Sequence, residues 1–424
     1  MTAPAPIRLA WLDGLRGFAA LAVVWFHLSP LMLGNERHLA IMRHIDLGKY
    51  GVLLFFLVSG YVIPMSLERH GSLRRFWIGR LCRIYPAYLG AIALVGALAL
   101  AGWGSWQESF THQTVSAVLG HATMMTELLG LHGAVRVFWT LSYEMTFYLV
   151  VSGLFAWRLH RHSAWWAAGL ALAGLLLGPA LPDGLFAGTF AGRRITAVVL
   201  AVLLGLSLLA YVRKRLTLAA GAVGIGFLLL PALDGHPASD STTVASWQGL
   251  QLLAVMFAGT VAYRAHSGQL GRFAAVLSLS VVALSIVGAH WAYLGPAGHR
   301  VWPANVAAVA VTFLLAYALR NRTVPTPLTW LGQISYSLYL LHAIVLGLIP
   351  RLITDLPSHS PLLRAVVGLV YLAVVLTLAW LSYRMVEIPG QALGRRLTVR
   401  PAPIFATQRA ASGTGRGEIE RESV

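Results

Sequence analysis

Charged residues, and acidic residues above all, are scarce in this sequence. Aspartate and glutamate together number 15 and lysine and arginine 32 among 424 residues, so only 11% of the chain is charged while 57% is hydrophobic. Soluble globular proteins carry about 25% charged residues. The composition therefore excludes an ordinary soluble domain and predicts an integral membrane protein.

Cysteine is almost absent, and patterns that bind metals are missing as well. Cys82 is the single cysteine, which excludes an internal disulfide framework and a cysteine metal cluster. The few acidic residues contain no Asp-x-Asp pair, which argues against a metal-dependent sugar transferase. We predict an activity that uses no metal.

The basic excess has two interpretations. The formal net charge is +17, and an excess of Lys and Arg in cytoplasmic loops is the usual orientation signal of membrane proteins. That signal accounts for most of the arginines, while an anionic ligand such as the pyrophosphate of coenzyme A is the alternative for some of them. Nucleic acid is not expected, because the charge lies in short loops rather than in one patch.

Hydrophobic runs of about 20 residues, the length of a membrane-spanning helix, recur along the chain. We predict an all-α bundle of about 10–12 transmembrane helices. The predicted centres lie near residues 22, 58, 95, 148, 173, 204, 225, 256, 282, 311, 342 and 374. Lys and Arg are more numerous in the loops that this count places inside, which predicts that both termini are cytoplasmic.

Three segments depart from this pattern of spans. Residues 1–396 form the predicted membrane domain, and residues 397–424, rich in Arg, Gly and Ser, form a predicted disordered cytoplasmic tail. The stretch 115–131, in the long loop 104–137, is too polar for a span. We expect an interfacial or re-entrant element there, on the outer side.

The first predicted helix carries two ionisable residues, Arg16 and His27. Eleven helical residues separate them, which places them about 20° apart around the axis and ~16 Å apart along it. Ionisable groups inside spans are costly and mark functional sites. An imidazole in the outer half of the membrane is suited to take a proton from a hydroxyl. The alternative is a histidine that only hydrogen-bonds within the bundle.

Further polar residues punctuate the next two spans. Ser59, followed by Gly60 and Tyr61, permits a close helix approach or a local break that admits a substrate. Arg80 and Arg83, three residues apart on one helix face, present forked donors suited to phosphate oxygens. Helix packing and orientation charge are the respective alternatives.

The fourth predicted span begins with the sequence Phe138-Trp139-Thr140-Leu141-Ser142-Tyr143-Glu144. Counted from the outer end, Glu144 lies six residues or ~9 Å deep, which matches the depth expected for His27. A buried carboxylate beside that imidazole would orient the ring and stabilise its protonated form. A structural Glu–Arg pair is the alternative. His342 lies near the middle of a later span and is a candidate to line the same cavity.

Together these segments resemble the membrane acyltransferase-3 family, which includes O-antigen and Nod-factor O-acetyltransferases and macrolide acyltransferases. The resemblance covers roughly residues 8–390, and the ordered set of motifs is more specific than any one of them. The motifs are Arg16-x10-His27, Phe55-Phe56-x-x-Ser59-Gly60-Tyr61, Arg80-x-x-Arg83, Trp139-x-Leu141-Ser142-x-Glu144 and Ser335-Tyr336-Ser337-Leu338-Tyr339-Leu340-x-His342. The chain departs from many members at Met145, where they carry a second acid, and in its twelve predicted spans, which exceed the usual ten or so.

The resemblance implies an O-acyltransferase of the bacterial cytoplasmic membrane. It would take an acyl group, most simply acetyl, from acyl-CoA and attach it to a hydroxyl of a sugar-containing acceptor such as a surface glycan, a glycolipid or a glycosylated metabolite. His27 would be the general base, oriented by Glu144, with Arg16 beside the path of the CoA arm.

The resemblance also implies roles for the other candidate residues. Arg80 and Arg83 would hold the CoA phosphates, and Ser59 and Tyr61 would contact the thioester. The substrate path would be lined by four further residues: Tyr85, Trp139, Ser142 and His342.

Several alternatives remain open at this stage. Direct transfer is favoured, because no serine lies in an evident nucleophile context, but an acyl-enzyme on Ser59 or Ser142 is the other route. A proton-coupled secondary transporter would also use buried Arg, His and Glu, and a lipid-linked sugar transferase or flippase is a further rival. Binding of CoA separates the acyltransferase from the transporter.

Overall fold

The computed structural model of the chain describes residues 9–104, 108–237 and 244–398, and within these ranges it contains helices but no β-strand. The α-helices are α1 Ala10–Leu33, α2 Asn35–Met42, α3 Leu47–His70, α4 Leu73–Leu100, α5 Glu108–His112, α6 Thr114–Thr123, α7 Trp139–Ala156, α8 Ser163–Leu176, α9 Phe190–Arg213, α10 Thr217–Gly226, α11 Leu229–Leu233, α12 Ser246–His266, α13 Arg272–Leu294, α14 Gly298–Ala318, α15 Thr326–Leu346, α16 Ile349–Leu352, α17 Pro361–Ser382 and α18 Ile388–Thr398. The all-α prediction is confirmed.

Eight helical segments in the described part of the chain are long and apolar enough to cross a membrane. They are Ala10–Leu33, Leu47–His70, Leu73–Leu100, Phe190–Arg213, Arg272–Leu294, Gly298–Ala318, Thr326–Leu352 and Pro361–Thr398. Their number and hydropathy confirm a polytopic helix bundle of an integral membrane protein.

All twelve predicted centres fall inside helices, but four of those helices do not meet the criterion for a span. Helices α8 and α10 are only 14 and 10 residues long. Helices α7 and α12 are longer but carry polar residues, among them Glu144, Gln251 and Arg264, and both are largely buried by their neighbours. A helix that lies inside the bundle can carry polar groups because protein, not lipid, surrounds it. The cytoplasmic location of both termini stays a prediction.

Glycines set the closest helix contacts. A Cβ atom on Gly60 of α3 would lie 1.7 Å from the Met256 carbonyl oxygen of α12, and one on Gly259 of α12 would lie 2.0 Å from the Leu57 carbonyl oxygen. On the other side of the bundle, a Cβ atom on Gly332 of α15 would lie 2.0 Å from the Asp13 carbonyl oxygen of α1. Backbones this close require residues without a side chain. Helices α3 and α12, and likewise α1 and α15, therefore pack with their backbones in direct contact.

The segment between α6 and α7 is buried in the protein. Helix α6 ends at Thr123, and Met124 adopts a left-handed conformation with φ of 58° that turns the chain inward. The following residues Met125, Leu128 and Leu129 are at most 1% exposed. The stretch 115–131 is thus a short helix followed by a buried turn, and α7 begins within the packed interior.

The C-terminal end of the described chain is helical. A π-helical turn over Tyr383–Glu387 joins α17 to α18, which reaches Thr398. The predicted tail was expected to begin at residue 397, and its residues 399–424 lie outside the described part of the chain.

Candidate active site

Five of the predicted site residues line one cavity, which we call the arginine cavity. It has an empty volume of about 730 Å³ and lies among α1, α3, α4, α7 and α15. The five residues are Arg16, Ser59, Arg80, Arg83 and Glu144, and the other lining residues include Phe55, Phe56, Thr140, Tyr148, Ser335, Tyr336 and Tyr339. Residues from five helices, more than 300 positions apart at the extremes, therefore meet in one place.

The arginine cavity has an excess of positive charge. Three guanidinium groups face one carboxylate, that of Glu144, among its lining residues. Arg80 is 8% exposed, and its guanidinium lies 5.6 Å from the ring centre of Phe76 and 5.4 Å from that of Tyr148. Within the described residues, none of the three arginines forms an ion pair at 4.0 Å or less. An excess of cations over nearby carboxylates favours an anionic ligand.

Glu144 is held by its own helix. Its carboxylate accepts a hydrogen bond of 2.5 Å from the Tyr148 hydroxyl, one turn further along α7. The carboxylate is also close enough to Arg16 and Arg80 to interact with both electrostatically. Glu144 thus balances part of the positive charge without closing an ion pair.

His27 and Trp139 line a second cavity, which we call the histidine cavity. It has an empty volume of about 840 Å³ and approaches the end of the bundle where α3 and α12 begin. Most of its lining is apolar, with Val23, Leu53, Val255 and Ile286 among the residues. Its polar lining residues besides His27 are Asp46, Lys49, Gln248, Gln251 and His290.

The two cavities share part of their walls. Val52 of α3 and Tyr339 of α15 line both. The Tyr339 hydroxyl donates a hydrogen bond of 2.6 Å to the Val137 carbonyl oxygen and lies 2.8 Å from the Thr140 hydroxyl, which fixes the ring at the boundary. Since α4 begins at the end of the bundle where α3 terminates, the cavities lie one above the other along the bundle axis.

His27 packs against a second histidine. The ring centres of His27 and His342 are 5.2 Å apart. His342 is fully buried, and its Nδ1 donates to the backbone oxygens of Tyr339 at 2.8 Å and Leu338 at 3.2 Å. Its Nε2 has no hydrogen-bond partner and, in the neutral ring, is an acceptor. His342 is thus oriented by α15 beside the candidate base.

The structure places His27 and Glu144 in different cavities, whereas the sequence analysis paired them. Glu144 shares the arginine cavity with Arg16, at the level of the earlier part of α1. The depth estimate counted residues from a membrane surface, but α7 follows the segment 124–138, most of which is packed inside the protein although His132 and Arg136 are exposed. The same number of residues therefore carries Glu144 further along the bundle than expected.

Four predicted residues line neither cavity: Tyr61, Tyr85, Ser142 and His342, which was predicted to line the cavity and instead packs beside His27. Tyr61 lies in a separate pocket with Glu68 and Tyr263, where its hydroxyl hydrogen-bonds the Nδ1 of His266. The Tyr85 hydroxyl donates to the Ala122 carbonyl oxygen at 2.7 Å. Ser142 is fully buried, and its hydroxyl oxygen accepts from the Glu127 backbone N–H at 3.2 Å. These contacts fit positions that stabilise the bundle.

Sequence reasoning missed several lining residues. Tyr148, the partner of Glu144, lies one helical turn after it, and that spacing was a readable signal. Gln251 and His290 are polar residues inside long apolar stretches, which is the signal that brought out His27. Among the described residues, no group of three or more His, Cys, Asp or Glu side chains is arranged to hold a metal ion.

The fold and the two cavities define a class: a polytopic membrane protein with a buried cationic cavity next to a buried histidine. Comparison with known proteins identifies the family. The sequence profile of the acyltransferase-3 family, described as an acyltransferase domain, matches residues 9–193 and 194–384. The chain belongs to this family.

Two curated relatives illustrate the likeness. The acyltransferase MdmB of Streptomyces mycarofaciens is 32% identical over 184 residues, which cover 40% of this chain and 46% of the relative. Nodulation protein 10 of Rhizobium leguminosarum bv. viciae is 32% identical over 162 residues, which cover 34% of this chain and 44% of the relative. The chain thus spans slightly less than half the length of these relatives. No solved structure matches it.

Proposed function

We propose that this chain is an O-acyltransferase of the bacterial cytoplasmic membrane. It transfers an acyl group, most simply acetyl, from acyl-CoA in the arginine cavity to a hydroxyl of a sugar-containing acceptor in the histidine cavity. The observation that carries the proposal is the shared boundary at Val52 and Tyr339, where a cationic cavity adjoins a cavity that contains His27. Family membership and the name of the Streptomyces relative, an acyltransferase, support the reaction class.

The proposed binding site for acyl-CoA rests on the positive charge of the arginine cavity. The phosphates of acyl-CoA would offset the positive charge of Arg16, Arg80 and Arg83 that Glu144 leaves unbalanced. Arginine is suited to this role because its planar fork makes two parallel hydrogen bonds to a phosphate. The pantetheine arm then extends along the bundle axis and brings the thioester to the boundary between the cavities.

The transfer step needs one base. His27 takes the proton of the acceptor hydroxyl while the hydroxyl oxygen forms a bond to the thioester carbon. The carbon–sulfur bond then breaks, and the protonated His27 returns the proton to the departing CoA thiolate. His342, beside His27, positions the ring. Ser59, which lines the arginine cavity two helical turns from Val52, contacts the pantetheine arm.

Two roles change from those that the sequence suggested. Glu144 offsets part of the arginine charge and fixes Tyr148, rather than orienting His27. Direct transfer is preferred to an acyl-enzyme on Ser142, because that hydroxyl is fully buried and lines neither cavity.

Binding of acetyl-CoA to the purified protein in lipid nanodiscs tests the proposal. The Arg80→Ala/Arg83→Ala variant should raise Kd by at least about 100-fold, since two charge-assisted hydrogen bonds of ~1.5–3 kcal/mol each are lost. The matched control is Arg74→Ala/Arg75→Ala, which removes the same charge from the same helix but outside both cavities.

The control distinguishes a specific binding site at Arg80 and Arg83 from a general electrostatic attraction of the basic helix end. We expect Arg74→Ala/Arg75→Ala to keep affinity within about threefold, because exposed charges are screened by salt. Equal losses in both variants, or no binding of acetyl-CoA or longer acyl-CoAs to folded wild type, would contradict the donor assignment. A transporter would then be the next candidate.

A further inference from the structure

Two buried polar side chains in the histidine cavity have no role in the chemistry described so far. Gln251 of α12 and His290 of α13 are 3% and 2% exposed, and both line the cavity that contains His27. Each has one polar atom without a hydrogen-bond partner in the protein: Oε1 of Gln251 and Nε2 of His290. Buried polar atoms are rarely left unpaired, because each loses its hydrogen bonds to water without a replacement.

Gln251 lines the cavity and has an unpaired acceptor atom. Its Nε2 donates a hydrogen bond of 3.2 Å to the Ser285 carbonyl oxygen on α13. A carbonyl oxygen only accepts, so this contact fixes which end of the amide is the nitrogen. The unpaired atom is therefore the oxygen, which accepts a hydrogen bond from a donor.

His290 also lines the cavity and has a second unpaired acceptor atom. Its Nδ1 lies 2.8 Å from the Ile286 carbonyl oxygen of its own helix, so Nδ1 carries the proton. In the neutral ring, Nε2 then has a free lone pair. The rings of Trp247 and Trp302 pack against the imidazole and hold it in place.

These two acceptors restrict the chemistry of the ligand. The ligand must bring two hydrogen-bond donors, while the surrounding Leu53, Val255 and Ile286 require an apolar surface between or beside them. The ring of a sugar offers this combination, since its hydroxyls point outward from an apolar face.

We propose that Gln251 and His290 are the acceptor-recognition residues of this protein, and that they bind two hydroxyls of a hydroxylated ring whose further hydroxyl reaches His27. The inference rests on the proposed function, because it assigns the acceptor to the histidine cavity. It specifies the acceptor as a ring with at least two free hydroxyls besides the one that is acylated.

Binding of a soluble model acceptor tests this assignment. The probes are phenyl β-D-glucopyranoside and its monodeoxy analogues, measured by saturation-transfer NMR with the full-length protein in lipid nanodiscs. We expect Gln251→Met and His290→Phe each to weaken binding of the parent glycoside about 10-fold, since each removes one buried hydrogen bond. Affinity for acetyl-CoA should stay within about twofold.

The deoxy analogues add a pairwise comparison. Wild type should bind one analogue about 10-fold more weakly than the parent glycoside. Gln251→Met should bind that analogue and the parent with equal affinity, because the missing hydroxyl and the missing oxygen belong to one contact. A second analogue should show this behaviour with His290→Phe. Ser152→Ala is the control, since this buried hydroxyl has no partner but lines neither cavity.

Each contrary outcome has a distinct meaning. Wild type that binds acetyl-CoA but no glycoside overturns the assignment of the ring, and variants that bind glycosides like wild type overturn the two residues. Variants that instead bind acetyl-CoA more weakly would show that the pantetheine amides, and not a sugar ring, contact Gln251 and His290. Wild type that binds neither ligand would contradict the proposed function itself. If one variant does not fold, the other still decides.

Discussion

His27 is the residue on which the proposed chemistry depends, because it is the one proposed base at the boundary between the cavities. We expect His27→Ala to lower the transfer rate by about 10²–10⁴-fold, the range for the loss of a general base. Acetyl-CoA binding should be unchanged, since the proposed site of the donor phosphates is beside the arginines in the other cavity.

Release of the CoA thiol in the presence of the glycoside that binds most tightly measures this effect. His38→Ala is the control, because it removes another imidazole whose ring packs against Phe26 but lines neither cavity. A His27→Ala protein with wild-type turnover would show that His27 is not the base.

Glu127 gives a pH dependence of stability outside the spans. It is 7% exposed, its Oε1 has no partner, and burial raises its pKa to about 8. The folded protein thus keeps a proton that the unfolded chain loses near pH 4.3. The stabilisation is full below that pH and is lost as the pH rises through about 8.

Thermal unfolding of the detergent-solubilised protein between pH 5 and pH 9 measures this contribution. Wild type should lose stability towards pH 9, and Glu127→Gln should lose less of it. Glu36→Gln, at an exposed position in α2, should follow the wild-type curve. Parallel curves for Glu127→Gln and wild type would contradict the prediction.

At the level of single residues, the sequence was a good guide to which side chains line a common cavity. It was a poorer guide to which of those side chains are in direct contact. The ionisable groups inside apolar stretches were visible, and four of them, Arg16, Arg80, Arg83 and Glu144, do line one cavity. The pairing of Glu144 with His27 was not predictable, because it required knowledge of how deep α7 begins. That depth depends on tertiary packing of the segment 124–138, which local sequence does not encode.

Among the helices, the contact between α3 and α12 determines the shape of both cavities, since both helices line the histidine cavity and α3 also lines the arginine cavity. Gly60→Ala should destabilise the protein by about 1–3 kcal/mol or more, because the new Cβ would overlap the backbone of Met256. The melting temperature should fall accordingly.

Gly79→Ala is the matched control for this change. Gly79 also lies within a helix, but an added Cβ would meet open space. Alanine at position 79 should either leave the free energy of unfolding equal to that of wild type or raise it by about 0.5–1 kcal/mol. If both variants melted at the wild-type temperature, the close contact between α3 and α12 would not exist.

Helix positions were the most predictable level of structure. All twelve predicted centres lie in helices, because long apolar runs are a strong local signal. It was less predictable whether α7, α8, α10 and α12 are membrane-spanning helices. Whether a helix faces lipid or protein depends on its neighbours, and these four are short or polar helices within the bundle.

For the whole molecule, the central feature is the alignment of two cavities along the bundle axis. With the predicted cytoplasmic N-terminus, the arginine cavity would lie in the inner half of the membrane and the histidine cavity in the outer half. Under the proposed function, a cytoplasmic acyl-CoA would then meet an acceptor from the other side without either substrate crossing the membrane completely.

An experimental structure with a bound acetyl-CoA analogue, in which a ketone replaces the thioester, tests this alignment most directly. We predict phosphate density beside Arg80 and Arg83, with the acetyl end between Val52 and Tyr339 and within reach of His27. Density for the analogue outside the arginine cavity, or an acetyl end that points away from the histidine cavity, would contradict transfer across this boundary.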